Sequence, residues 1–113
     1  MADLFAGLPV TSIAASVPWY EQLFGVAPFH PNEVEAVFEA DEHRYVYIEQ
    51  KPSIAGHGFV TLFVDDLDTH LAAVADRGLL PESEETYDNG VRKTLFRDPD
   101  GNEIGIGGGP AAA

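Results

Sequence analysis

The 113-residue chain has no cysteine. Disulfide staples, thiolate metal sites and cysteine nucleophiles are therefore excluded, and nothing points to an oxidising compartment. Positive charge is scarce as well: 6 Lys and Arg stand against 19 Asp and Glu, a formal net charge of -13. Such a surface repels phosphate backbones and anionic bilayers, so neither nucleic acid nor a membrane is an expected partner. No apolar run approaches the roughly 20 residues of a membrane span. The opening MADLFAGLPV lacks the basic start and long apolar stretch of a signal peptide, and a cytoplasmic protein is expected. No glycine-rich phosphate loop opens a helix, and Ser12, Ser16, Ser53 and Ser83 lack the strand-turn-helix setting of a nucleophile.

What is present is enough apolar material, 45% hydrophobic and 11% aromatic residues, for one domain with a real core. The punctuation repeats. Val10-Thr-Ser12-Ile13 leads into VPWYEQLFG and stops at Gly25; Val64-Asp-Asp66-Leu67 leads into DTHLAAVADRG and stops at Gly78. Each reads as a strand end, a polar N-cap, a helix of about three turns and a terminating glycine. In the second helix Leu67, Leu71, Val74 and Ala75 fall on one apolar stripe, with Asp68, Asp76 and Arg77 towards water. The first helix offers Tyr20, Leu23 and Phe24 as its packing face, with Ser12 or Ser16 as its cap. After the helices the period changes to two, predicting strands at 34–40, 43–51, 80–87, 91–97 and 102–107. The expected fold class is α+β: two βαβββ modules, about 3–51 and 57–108, in a single domain spanning 1–113, with 109–113 as a tail. The modules are expected to form a curved mixed sheet, covered by helices on one face and open as a cleft on the other.

WYEQLFG in the first helix, VDDLDTHLAAVADRG in the second and RDPDGNEI at the last turn make the chain resemble the vicinal oxygen chelate superfamily, which includes glyoxalases, bleomycin-resistance proteins and extradiol dioxygenases. The resemblance covers nearly the whole chain. In metal-dependent members it implies four ligands: a His on the first strand, a Glu on the fourth, a His or Gln on the fifth and a Glu on the last. Those positions here are Phe5, Glu49, Phe59 and Gly105. Three cannot coordinate a metal, so neither a metal nor any other cofactor is expected. A site displaced by two residues on each strand would use Asp3, His57 and Glu103, which alternation keeps on the same face; it is the secondary expectation.

The same alternation assembles a cleft face from Phe5, Gly7 and Pro9, from Tyr45, Tyr47 and Glu49, from His57, Phe59, Thr61 and Phe63, and from Glu103, Gly105 and Gly107. Glycines beside aromatic walls leave room for a planar ligand or for a side chain of a second subunit. The expected function is metal-independent binding of a small aromatic or apolar molecule, as in the sequestering branch of the family. Phe5, Tyr45, Tyr47, Phe59, Phe63 and Gly105 would form its walls; Glu49, His57 and Glu103 would add polar contacts and some affinity for cations. Two alternatives stand beside it. One is a glyoxalase-like lyase, isomerase or dioxygenase using the displaced site or a His57 and glutamate acid-base pair; the other is a structural dimer whose cleft is filled by the Phe residues. Trp19 and Tyr20 are expected in the core, His30, His43 and His70 on the surface, and Arg92 and Arg97 either near an anionic ligand or paired with surface acids. Open sheet edges and the apolar cleft lead to a homodimer as the expected assembly.

Overall fold

A computed structural model describes residues 1–110; of the expected tail, 111–113 lie outside the described residues. Seven strands and two α-helices follow one another as β1 (Leu4–Val10), α1 (Ile13–Phe24), β2 (Glu35–Asp41), β3 (Arg44–Gln50), a short 3-10 turn (Pro52–Ile54), β4 (Phe59–Phe63), α2 (Leu67–Asp76), β5 (Ser83–Thr86), β6 (Arg92–Arg97) and β7 (Glu103–Gly108). They form two mixed sheets, ordered β1-β3-β2 and β4-β7-β6-β5. The α+β architecture and its two-module repeat are those expected. In the first module, however, the strand after the helix shrinks to one bridge, Phe29 with Val37. Pro28 and Pro31 flank Phe29 and cannot donate to a ladder, so pairing stops after a single residue.

Each module repeats one construction. Its first strand runs parallel to its last, with Phe5 opposite Tyr45, Gly7 opposite Tyr47 and Pro9 opposite Glu49 in module 1. Module 2 places Phe59 opposite Glu103, Thr61 opposite Gly105 and Phe63 opposite Gly107. Ser12 caps α1 by accepting from the Ala15 N–H at 3.2 Å, so Ser12 rather than Ser16 is the cap, and Gly25 ends the helix at φ 71°. Asp66 caps α2 through the Thr69 N–H at 3.1 Å and the Thr69 hydroxyl at 2.8 Å.

The core lies on the helix side of both sheets and draws on both modules: Leu8, Val10, Tyr20, Leu23, Phe38, Val46, Ile48, Leu67, Val74, Phe96, Ile104 and Ile106 belong to one cluster. Tyr20 is fully buried, the core placement expected of it, while Trp19, edge-on to it at 4.8 Å, is only partly buried and packs against the core. On α2 the stripe is rotated from expectation. Ala75 is exposed, whereas His70 and Arg77 are half-buried. The cause is the contact with α1: Arg77 Nε donates to Gln22 O at 2.6 Å and Nη2 to Leu23 O at 3.0 Å, neutralising the carbonyls at the end of α1.

The DPDGN turn ties the modules together. Asp98 Oδ1 accepts from the N–H groups of Asp100 (3.0 Å) and Asn102 (2.8 Å), while its Oδ2 accepts from the Tyr20 hydroxyl at 2.6 Å and from Asn102 Nδ2 at 2.8 Å. Asn102 Nδ2 also donates to Pro9 O at 2.6 Å, and Asn102 Oδ1 accepts from the Gly58 N–H at 2.8 Å. Asp100 adds a bond from the Thr11 N–H at 3.0 Å. Burial first, then the Asp98 carboxylate, pushes the Tyr20 hydroxyl far above its ordinary value and keeps it a donor. The most recognisable motif of the chain is thus a hydrogen-bonded junction in which the buried side chains of Asp98, Asn102 and Tyr20 all have partners.

Candidate functional site

Side chains alternate across each strand, so the residues not buried against the helices line two open faces. On module 1 Phe5 stacks on Tyr45, ring centres 4.6 Å apart and planes 12° from parallel. Tyr47 lies over Gly7: a Cβ built there would meet its Cζ at 2.5 Å and its hydroxyl at 2.6 Å, closer than any real contact. A shallow cavity of about 190 Å³ follows, lined by Gly7, Pro9, Tyr47, Glu49, Lys51 and Ile54. Glu49 at its edge pairs with Lys51 at 3.4 Å. Partial desolvation, followed by the carboxylates of Glu39 and Asp3, raises the Tyr45 hydroxyl above its usual range, so it remains a donor at neutral pH.

Module 2 is barer. Phe59 and Phe63 are 83% and 66% exposed, with Thr61 between them on β4. Gly105 is covered, but not by an aromatic ring: its missing Cβ would stand 2.7 Å from Lys93 Cε and 2.8 Å from Thr61 Oγ1. Lys93 on β6 therefore lays its stem across the glycine strand towards β4. Sequence reasoning overlooked it, although the signal was there: alternation places Lys93 on the glycine side of β6, next to a strand with no side chains to obstruct it. Arg97 and Arg92 are paired with acids, Arg97 with Glu82 at 2.8 Å and Glu103 at 3.7 Å, Arg92 with Asp68 at 2.8 Å.

The residues singled out in the sequence thus sort into two groups. Phe5, Tyr45, Tyr47 and Glu49 share the open face of module 1, and Phe59, Phe63, Glu103 and Gly105 that of module 2. No ring of one group stacks on a ring of the other among the described residues. His57 sits exposed just before β4 and makes no side-chain hydrogen bond among the described residues, so no acid-base pair with Glu49 or Glu103 is assembled. The displaced set Asp3, His57 and Glu103 is not gathered either: Asp3 Oδ1 accepts from His43 Nδ1 at 2.7 Å, and Glu103 faces Arg97. No group of three or more His, Asp or Glu positioned for a metal occurs among the described residues. His43 and His30 are exposed as expected. His70, expected on the surface, has its Nε2 enclosed without a partner, and burial first, then Arg77, lowers its pKa. It borders a cavity of about 580 Å³ between the modules, walled by Phe24, Ala40, Leu62 and Ala73.

With this geometry in place, the comparisons with known proteins decide the family. Residues 4–106 match the family described as the Glyoxalase/Bleomycin resistance protein/Dioxygenase superfamily. The chain belongs to this superfamily. A glyoxalase/bleomycin resistance protein from Catenulispora acidiphila is 45% identical, with a TM-score of 0.91 over 97% of this chain and 100% of that one. Below the identity at which more than fold is shared lie a bleomycin-binding protein complexed with bleomycin (17% identity, TM-score 0.78, 96% and 98% covered) and lactoylglutathione lyase from Agrobacterium tumefaciens (17%, 0.75, 96% and 93%). No curated protein matches the chain.

The superfamily includes metal-dependent members, and the donors here do not fit a metal. Phe5 and Phe59 offer only carbon, and Gly105 lies beneath the stem of a cationic side chain. Glu49 stands opposite Pro9, four residues along β1 from Phe5, about 13 Å at strand spacing. One carboxylate already paired with a lysine is not a coordination sphere. Among the described residues no helix is long and apolar enough to cross a membrane.

Proposed function

We propose that this chain binds small aromatic or apolar molecules without a metal, and that it does so as a homodimer. The observation that carries the reading is the chemistry at the positions the resemblance gives for metal ligands: Phe5 and Phe59 offer ring faces and Gly105 no side chain. Aromatic walls with few polar groups suit planar apolar ligands. The bleomycin-binding relative is a precedent for small-molecule binding on this fold. Cation affinity is weaker than the composition suggests, since Glu49 and Glu103 each face a basic side chain.

The homodimer reading rests on exposure. Burying a phenyl side chain is worth about 1.5–3 kcal/mol, and module 2 leaves two of them in water. A second copy that brings its module 1 face over this module 2 face turns two open surfaces into one enclosed pocket, and twofold symmetry makes two such pockets.

Calorimetric titration with the neutral probe 2-naphthamide tests the binding. Phe59→Ala should weaken it more than His57→Ala does; equal affinity in the wild-type chain and Phe59→Ala would count against the reading. Sedimentation equilibrium tests the assembly: twice the chain mass is expected for the wild type, and a monomer for Phe59→Asp with unchanged circular dichroism.

A further inference from the structure

On the open face of module 2, Lys93 stands apart from the other cations. Arg44, Lys51, Arg92 and Arg97 each lie within 4.0 Å of a carboxylate, and Arg77 is held by the carbonyls at the end of α1. Lys93 has no ion pair among the described residues. Its register neighbour on β5 is Glu85, on the same face, yet the side chain turns the other way and crosses β7. Gly105 is what permits the crossing, since a Cβ there would collide with Lys93 Cε. The stem is spent on covering the glycine strand, with Cε over Gly105, whose register partner on β4 is Thr61, between two exposed phenyl rings.

We infer that Lys93 anchors an anionic oxygen of the ligand, and that the preferred ligand of this face is a flat apolar molecule carrying a carboxylate. The inference rests on the proposed binding function and specifies its ligand. Three features carry it. The cation is unpaired in a chain of net charge -13, where a surface lysine has many acids available. Its stem is half-buried over β7, where a charge-assisted hydrogen bond is less screened than in open water. Finally, the acidic surface repels anions at long range, but at physiological salt that repulsion is screened within about 8 Å, so a direct contact at Lys93 decides which anions stay.

The test compares 2-naphthoate with its neutral isostere 2-naphthamide on the wild type, Lys93→Met and Lys93→Arg, by calorimetry at two salt concentrations. The wild type should bind naphthoate about 10- to 100-fold more tightly than naphthamide, the range of one hydrogen bond to a charged group. Lys93→Met, which keeps the stem over Gly105, should bring naphthoate down to the level of naphthamide without changing naphthamide itself, and Lys93→Arg should retain the preference. If both probes bind equally to the wild type, or naphthoate binding survives Lys93→Met, the anchor is wrong while the binding face stands. If neither probe binds, the binding face falls and the anchor with it.

Discussion

The junction between the modules and the open faces beside it follow opposite rules, although Asp98 to Gly107 runs through both. In the junction Asn102 is fully buried and its amide donates twice and accepts once. Three residues later Gly105 has no side chain, and its space belongs to Lys93 from the neighbouring strand. The junction spends its polar groups on holding two modules in one arrangement, and the faces are left with rings, glycines and, among the described residues, one cation without an ion pair. The difference teaches where to look for function: a motif that identifies a family can be wholly structural, while the chemistry changes three residues away.

Breaking the junction should have the largest effect. Asn102→Ala strips partners from the Gly58 N–H, the Pro9 carbonyl and Asp98, and should cost about 3 kcal/mol, read as a lower urea midpoint with unchanged slope. Tyr20→Phe removes a single bond and should cost less in the same assay.

The two glycine positions sharpen the comparison within the faces. At Gly7 the obstacle to a side chain is the end of the Tyr47 ring, itself part of the aromatic wall. Gly7→Val should therefore destabilise by about 1–3 kcal/mol, as overpacking does. At Gly105 the obstacles are a flexible lysine stem and Thr61 Oγ1; the stem can swing aside and the hydroxyl can rotate, so Gly105→Ala should cost less in stability than Gly7→Val but weaken naphthoate binding by displacing Lys93. A larger stability loss at Gly105 would mean that Lys93 is packed as core.

The acid side of the stability curve probes the helix contact. The folded chain holds His70 below its ordinary value of 6.5, so below that pH the unfolded chain takes up the proton first. Stability is fully present above about pH 6.5, declines as the pH drops through the window down to the folded pKa, and His70→Gln should flatten the decline. The smallest effect belongs to the α2 cap: Asp66→Ala should speed amide exchange at Thr69 and His70 with little change in global unfolding. Hydrogen bonds from Thr69 hold Asp66 below the usual carboxylate range, so the capping contribution is present above the ordinary value and fades as the pH falls through the lowered one.

Much of this was legible in the chain because it depends on local chemistry. The caps at Ser12 and Asp66, the terminating Gly25 and the period-two strands arise from residues acting on their near neighbours. What was missed depends on neighbours far away in sequence. His70 and Arg77 read as surface residues of an amphipathic helix until α1 packs beside them, and the missing strand of module 1 reflects a proline on either side of Phe29. The glycines of β7 were recognised as space; alternation puts Lys93 on their side of β6, but that its stem lies over Gly105 depends on the packing of β6 beside β7.

The most direct test of metal-free binding is metal content and probe affinity measured on the same untagged sample, before and after chelation and after reloading with Ni, Zn, Mn and Fe(II). The prediction is far less than one metal per chain under every loading condition, with 2-naphthamide affinity unchanged throughout. About one metal per chain, lost in Glu49→Gln or Glu103→Gln and accompanied by a change in probe affinity, would contradict it.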